Sequence, residues 1–362
     1  MRVVVLGGAG NFGARIVRAL QGDPAIELVS AGRRATLVAG AESVPARVLD
    51  IMAPDFTAQL HALEPELVIH CVGPFQGQDY RVAEAALATG AHYMDLADGR
   101  EFVSRFAVAL APAAVRAGRV AISGASTLPA LSSAVIEQLR ESLRLDSIEI
   151  AIAPGQRAPR GVATLAAVFS YLGRPFPMWR QGRWQTAWGW MDLRRIRFAF
   201  GTRWGAVCDV PDLALWPERI PQLQSVSFHA ALEIDLQHLV LWKLAAWRRL
   251  GLPLPVERWA AILNRCAGAF DRFGGEWGGM RVSVVGVNSE GRRLRRTWQL
   301  TAPAMNGPEI PCMAAILLAR RIARGAIPAS GAFPCAGFLQ LTEFRPEFER
   351  WGITTRIEES ET

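Results

Sequence analysis

Arg2-Val3-Val4-Val5-Leu6-Gly7-Gly8-Ala9-Gly10-Asn11-Phe12-Gly13 opens the chain. The β-branched run from Arg2 to Leu6 predicts a buried strand. A helix is predicted over Asn11 to Leu20, with Ile16, Val17 and Leu20 on one side. Gly8-x-Gly10-x-x-Gly13 therefore lies between a strand and a helix, the context that gives this glycine pattern its meaning. The first glycine permits the tight turn, the second a close approach to a pyrophosphate, and the third close packing of helix on strand. The amides of Asn11, Phe12 and Gly13 would face the phosphates, aided by the helix dipole. A glycine turn without a ligand is the plain alternative.

The next strand is expected over Ile26 to Ala31. An acidic residue about 20 residues beyond the glycines would bind the ribose 2′-hydroxyl of NAD. Gly32-Arg33-Arg34 stands there instead. Two guanidiniums suit a 2′-phosphate, so NADP is favoured over NAD. The alternative is a solvated arginine pair. Asp50, after Ala46 to Leu49, is a candidate for contact with the adenine. His70-Cys71-Val72-Gly73-Pro74-Phe75 closes another strand at the same sheet edge, so Val72, Gly73 and Pro74 are candidates for the nicotinamide ribose.

Strand and helix alternate onward. Strands are predicted at Leu67 to Val72, Tyr93 to Leu96 and Val120 to Ser123, and helices at Asp79 to Thr89 and Glu101 to Ala117. This alternation implies an α/β fold, a Rossmann-type doubly wound parallel sheet. The pattern changes near Ser126. A helix is expected over Leu131 to Leu143, a strand at Ile148 to Ala153, and a hairpin from Arg281–Val287 and Arg293–Thr301. The expected organisation is a Rossmann domain at 1–127 and a second α+β domain, with a mixed or antiparallel sheet, at 128–307. The segment 308–362, with a helix at Glu309 to Ala323, is expected to return to the first domain.

Composition narrows the function classes. Hydrophobic residues make up 51% and charged residues 20% of 362, the balance of a globular protein with a large core. The net charge is +7, carried almost wholly by arginine; Lys243 is the only lysine. No recognition motif accompanies the charge, so nucleic acid is not an expected partner. The five cysteines form no C-x-x-C pair and the five histidines have no metal-ligand spacing, so neither a disulfide framework nor a metal site is expected. A reducing cytoplasm fits, and no signal peptide or spanning segment is read.

Four further stretches carry a resemblance. They are Cys71-Val72-Gly73-Pro74-Phe75-Gln76-Gly77-Gln78; Gly90-Ala91-His92-Tyr93-Met94-Asp95-Leu96-Ala97-Asp98-Gly99; Gly124-Ala125-Ser126-Thr127-Leu128-Pro129-Ala130; and Gly331-Ala332-Phe333-Pro334-Cys335-Ala336-Gly337-Phe338. Together they resemble the saccharopine dehydrogenase-like family, of the saccharopine reductase type. The resemblance implies a Rossmann domain paired with an α+β domain and an active site between them. It also implies NAD(P)-dependent oxidoreduction, which in members of established activity makes or breaks a C–N bond through an imine.

Proton-transfer candidates cluster at the fifth strand. Asp98, just past its end, ranks first, Asp95 second and Tyr93 third; bracing of a loop is the alternative for Asp95, and a place in the core or at an edge for Tyr93 and His92. Ser126 and Thr127 could bond a carboxamide or cap a helix. The Y-x-x-x-K pair of short-chain dehydrogenases is missing, and a Schiff-base role would have to rest on Lys243. Cys71 reads better as a small buried residue than as a nucleophile.

Ten of the twelve tryptophans lie between Trp179 and Trp277. With Lys243, Arg248, Arg249 and Arg265 among them, this region reads as core, dimer surface, apolar pocket wall or membrane interface. Arg194, Arg195 and Arg197 are either carboxylate binders or a solvated stripe. The favoured function is an NADP-dependent oxidoreductase, the expected substrates being an imine or amino-acid-like molecule or an apolar carbonyl or enoyl compound, in a homodimer. The alternatives are a non-catalytic NADP-binding sensor or partner protein and a peripheral membrane oxidoreductase acting on a lipid.

Overall fold

In the computed structural model the described residues are 1–159, 162–326 and 329–362, the side chains at 162–164, 257 and 260 excepted. Strands and helices alternate at first: β1 (Arg2–Leu6), α1 (Gly13–Leu20), β2 (Glu27–Gly32), β3 (Ala46–Val48), α2 (Phe56–His61), β4 (Leu67–His70), α3 (Arg81–Ala88), β5 (His92–Asp95), α4 (Arg100–Ala117) and β6 (Val120–Ser123). Then come α5 (Ser132–Leu139), β7 (Leu143–Ala153), α6 (Val162–Tyr171), β8 (Pro175–Arg180), β9 (Arg183–Trp188), β10 (Arg194–Phe198), β11 (Gly201–Val207), α7 (Asp212–Arg219), β12 (Ser225–Ala231), α8 (Asp235–Arg249) and α9 (Ala260–Gly268). The chain ends with β13 (Gly278–Asn288), β14 (Arg293–Ala302), α10 (Ile310–Ala323), β15 (Gly331–Pro334), α11 (Arg345–Arg350) and β16 (Thr354–Glu361).

The chain divides into two compact units, Met1–Leu131 with Glu309–Leu339, and Ser132–Pro308 with Gln340–Thr362. The first is built on a seven-stranded sheet in the order β15-β6-β5-β4-β1-β2-β3, every pair parallel. Helices cover both faces of such a sheet, so its central strands are apolar throughout. Val3, Val4 and Val5 are wholly buried, each worth about 1.5–3 kcal/mol of burial. The order reverses beside β1, where β2 lies on one side and β4 on the other, opening a crevice at the carboxyl ends.

The second unit carries a seven-stranded mixed sheet in the order β10-β11-β12-β7-β13-β14-β16, with only β12 and β7 parallel. The β13–β14 hairpin forms as expected, closed by Asn288, whose Oδ1 accepts from the amides of Glu290 and Arg292. The helix expected over Leu131 to Leu143 is shorter. It stops at Leu139, because Leu143 already pairs with Asn288 as the start of a long β7. The expectation that all of 308–362 rejoins the first domain is corrected. Glu309–Leu339 does, but Gln340–Thr362 belongs to the second unit, where β16 pairs with β14. The charged face of β16 explains this: Glu359 meets Arg296 at 2.6 Å, and charge suits an edge strand.

Candidate cofactor and active site

The glycine turn leaves β1 with Gly7 in the left-handed region, at φ 76°. The tight turn assigned to Gly8 thus falls one residue earlier; Gly8 is needed for space, since a Cβ there would lie 2.4 Å from Ser30 Oγ. Gly13 fulfils the packing role expected of it. A Cβ on it would lie 2.2 Å from the Gly7 carbonyl oxygen. The helix begins at Gly13 rather than Asn11 because Asn11 and Phe12 stay in the loop. Among the described residues the amides of Asn11, Phe12 and Gly13 have no backbone acceptor. They are the orphan donors of a helix start.

Contacts distant in sequence hold this loop. Arg15 bonds the Asn11 side chain at 2.6 Å and Glu309 at 2.8 Å, and the Arg15–Glu309 pair is largely buried. Cys312 Sγ donates to the Phe12 carbonyl at 3.5 Å. Arg33 and Arg34 follow β2, their side chains exposed and without a hydrogen-bond or ion-pair partner among the described residues. Asp50 uses its carboxylate locally, accepting from the Met52 amide at 3.0 Å.

At the end of β4, Val72 lies against Gly7, where a Cβ would sit 3.0 Å from Val72 Cγ2. Gly73 and Pro74 follow, joined by a cis peptide. Gln78 fastens this loop, donating to the carbonyls of Val72 at 2.8 Å and Pro74 at 2.7 Å. Its own carbonyl meets His70 Nε2 at 3.2 Å. Burial pushes His70 down to about 4, against the Gln78 bond, so the ring is neutral at pH 7.

The three acid–base candidates on and just beyond β5 part company. Asp95 is fully buried. Its Oδ1 accepts from the Gly124 amide at 2.7 Å, the Ala97 amide at 2.9 Å and Ser123 Oγ at 3.0 Å. Its Oδ2 has no partner. Burial pushes Asp95 up to about 6, and these hydrogen bonds only partly oppose it. The geometry is that of a brace between the ends of β5 and β6. Tyr93 is also enclosed, stacked on Phe106 at 5.9 Å, and its hydroxyl lies against Asp95 without a well-formed bond. Asp98 alone reaches solvent. It accepts from Gln76 Nε2 at 3.2 Å, and desolvation by the surrounding protein raises its pKa in spite of that bond.

Ser126 is buried, and its amide donates to the Gly124 carbonyl at 2.7 Å. His92 holds strands together by accepting from the Val120 amide. Cys71 lies half-buried just past β4, and burial raises its thiol, which argues against a thiolate nucleophile. Lys243 is exposed on α8. The tryptophans divide: Trp190 and Trp216 are core, while Trp184, Trp247 and Trp277 are exposed. Among the described residues no three His, Cys, Asp or Glu are placed to hold a metal ion, and no helix is long and apolar enough to cross a membrane.

Sequence reasoning missed Gly7, Gln78, Arg15 and Glu309. The Gly7-Gly8 doublet was a visible signal. Glu309 gave none, because it stands 294 positions from its partner.

Residues 3–122 match the family described as saccharopine dehydrogenase NADP binding domain. No curated protein matches the chain. Among solved structures, saccharopine dehydrogenase (L-Glu forming) from Saccharomyces cerevisiae is similar at TM-score 0.68 and 13% identity, over 99% of each chain. Homospermidine synthase from Legionella pneumophila is similar at TM-score 0.66 and 11% identity, over 100% of this chain and 91% of the other. DAP dehydrogenase from C. glutamicum follows at TM-score 0.50 and 16% identity, over 96% and 98%. At these identities the likeness establishes the two-domain dehydrogenase fold. The free amides and the unpaired Arg33 and Arg34 fit NADP, and the family match covers the same residues. Residues 3–122 therefore carry a saccharopine dehydrogenase-like NADP-binding domain, and the chain is an NAD(P)-binding oxidoreductase by that domain.

Proposed function

We propose that the protein is an NADP-dependent dehydrogenase acting on an imine or amino-acid-like small molecule, with NAD as a weaker cofactor. The observation that carries the cofactor choice is Arg33 and Arg34, exposed after β2 with side chains unpaired among the described residues, where an acid would otherwise select NAD. When bound, the nicotinamide would supply or accept the hydride. Gly8, Gly10, Asn11, Phe12 and Gly13 would hold the pyrophosphate, and Val72, Gly73, Pro74 and Ser126 would border the nicotinamide half. Asp50, already bonded to its own loop, is the weakest of these assignments. Asp98 is the proton carrier in this reading, being the accessible group of the three. Asp95 and Tyr93 act through position, by fixing the loop on which Asp98 stands. The substrate class draws support from the neighbours' names, which include a saccharopine dehydrogenase and a DAP dehydrogenase in complex with DAP.

Calorimetric titration with NADPH and NADH tests the reading. Tighter NADPH binding in wild type, lost in the Arg33→Ala, Arg34→Ala double variant, supports it. Equal or absent binding overturns the cofactor choice.

A second reading, contact with an anionic lipid surface, rests on α8. Leu236, Val240, Lys243, Trp247 and Leu250 recur at helical spacing, and the four apolar members are each at least 44% exposed. Such a stripe suits an interfacial helix. Flotation with phosphatidylserine vesicles at low salt supports this reading if Trp247→Ser weakens it, and loss of all binding removes it.

A further inference from the structure

One face of the second unit's sheet is apolar in the ordinary way. Ile148 and Ile150 of β7, Val282 and Val284 of β13, and Trp298 and Leu300 of β14 are buried on it. The opposite face is mixed: Ala151, Ala153, Ile196, Phe198 and Ala231 form an apolar cluster on it, and the positions beside them are polar. Register places Glu149 opposite Ser283 and Ser227, Arg281 opposite Gln299 and Ala151, Arg295 opposite Val285, and His229 opposite Ala151. Arg194 on β10 joins the same face through its pairing with Gly205. Five strands, β7, β10, β12, β13 and β14, thus deliver polar groups to one face of the sheet, where burying them without partners is costly.

The groups are not satisfied by one another. Glu149 is shared by three guanidiniums, Arg194 at 3.1 Å and Arg281 and Arg295 at 3.8 Å each. Burial alone would raise the Glu149 pKa, but Arg194, Arg281 and Arg295 together outweigh it and hold it low. The side chains of Arg281 and Arg295 make no hydrogen bond among the described residues. The Nε of Arg194, the Oε1 of Gln299 and the Nδ1 of His229 are buried without partners, and His229 and Gln299 are 3% and 5% exposed. Burial pushes His229 down to about 3, helped by Arg194 and Arg180, so it adds no charge. Nearby, Arg356 and Glu358 pair at 3.2 Å and cancel in charge, and Gln299 Nε2 donates to Glu358 at 3.5 Å, which leaves only the Gln299 carbonyl oxygen without a partner. Three guanidiniums therefore face one carboxylate, with donors left over.

We infer that this face binds a small carboxylate-bearing molecule, held by Arg194, Arg281 and Arg295 and lined by His229 and Gln299. A planar carboxylate matches the guanidinium fork and uses the idle donors in pairs. A dicarboxylate would also balance the excess charge. The inference stands apart from the cofactor reading: NADPH titration can fail while this site remains.

Glutarate tests it, with neutral glutaramide as the control, both by calorimetry on the full chain. Saturable binding of glutarate and none of glutaramide is expected. Arg281→Gln should weaken glutarate at least about tenfold, with Arg281→Lys between the two. Arg295→Gln, at a more exposed position, gives a second loss if Arg281→Gln folds poorly. Glu149→Gln removes the internal competitor, so glutarate should bind several-fold tighter; a merely structural Glu149 would give the reverse. Absence of saturable binding, equal binding of glutaramide, or unchanged affinity in both arginine variants overturns the site.

Discussion

Arg15 Nε donates to Glu309 Oε1 at 2.8 Å, joining the glycine loop to the start of α10 across 294 positions. Both side chains are largely buried, so removing one leaves a charge poorly solvated. Glu309→Gln should lower stability by about 1.5–3 kcal/mol, the range for a hydrogen bond to a charged group. NADPH affinity should fall several-fold, because Arg15 also fixes Asn11. Urea unfolding with and without NADPH measures both.

The two glycines of the turn should behave differently. In Gly13→Ala the new Cβ would lie 2.2 Å from a backbone oxygen, a contact that must displace α1 from β1. Loss of soluble, cooperatively unfolding protein is expected. In Gly10→Ala the nearest atom is 3.0 Å away, so the fold should survive. Its methyl group would stand where a pyrophosphate approaches, and NADPH affinity should drop at least about tenfold, the effect of one lost charge-assisted contact. Thermal melts and cofactor titration separate the outcomes.

Asp95 and Asp212 give the pH profile a definite sign. Each is fully buried and pushed up to about 6 from 3.8 by burial. The native carboxyl therefore keeps its proton in a window where the unfolded one has lost it, and stability falls as pH rises from about 4 to 6. Each group accounts for about 3 kcal/mol of that loss, to order of magnitude. Asp95→Asn should remove its share and be neutral or stabilising at pH 7, since the amide oxygen still accepts three bonds. Asp95→Ala leaves those donors unpaired and should destabilise by about 2–4 kcal/mol. Chemical unfolding from pH 4 to 8 distinguishes the variants.

Asp98→Ala should leave stability and NADPH binding intact, because the side chain reaches solvent and Gln76 is the one other side chain it bonds among the described residues. Substrate-dependent oxidation of NADPH should fall about 10²–10⁴-fold, the usual contribution of a positioned acid or base. The same loss in Asp95→Asn with Asp98 intact would reassign the role to the buried carboxyl.

Local pattern made the first unit legible. A β-branched run, three spaced glycines and two arginines lie within one strand–turn–helix–strand span, where chain neighbours are also neighbours in space. The parallel order and the carboxyl-edge site follow from that alternation and the handedness of crossovers. Element ends were less legible, as at Leu139 and Leu143, because long-range pairing decides where a helix yields to a strand.

What the sequence could not carry was burial and convergence. Tyr93, Asp95 and Asp98 stand within six positions, yet two are sealed in and one meets water, a difference made by β6 and α4 packing over the strand. Arg194, Arg281 and Arg295 read as scattered surface charge until strand register set them around Glu149. The sequence by itself determined the dinucleotide-binding turn and its sheet, since their signals are periodic and local. Only the tertiary structure decided which carboxyl reaches solvent and which arginines share a face, because solvent access and register arise from contacts between strands and helices far apart in the chain.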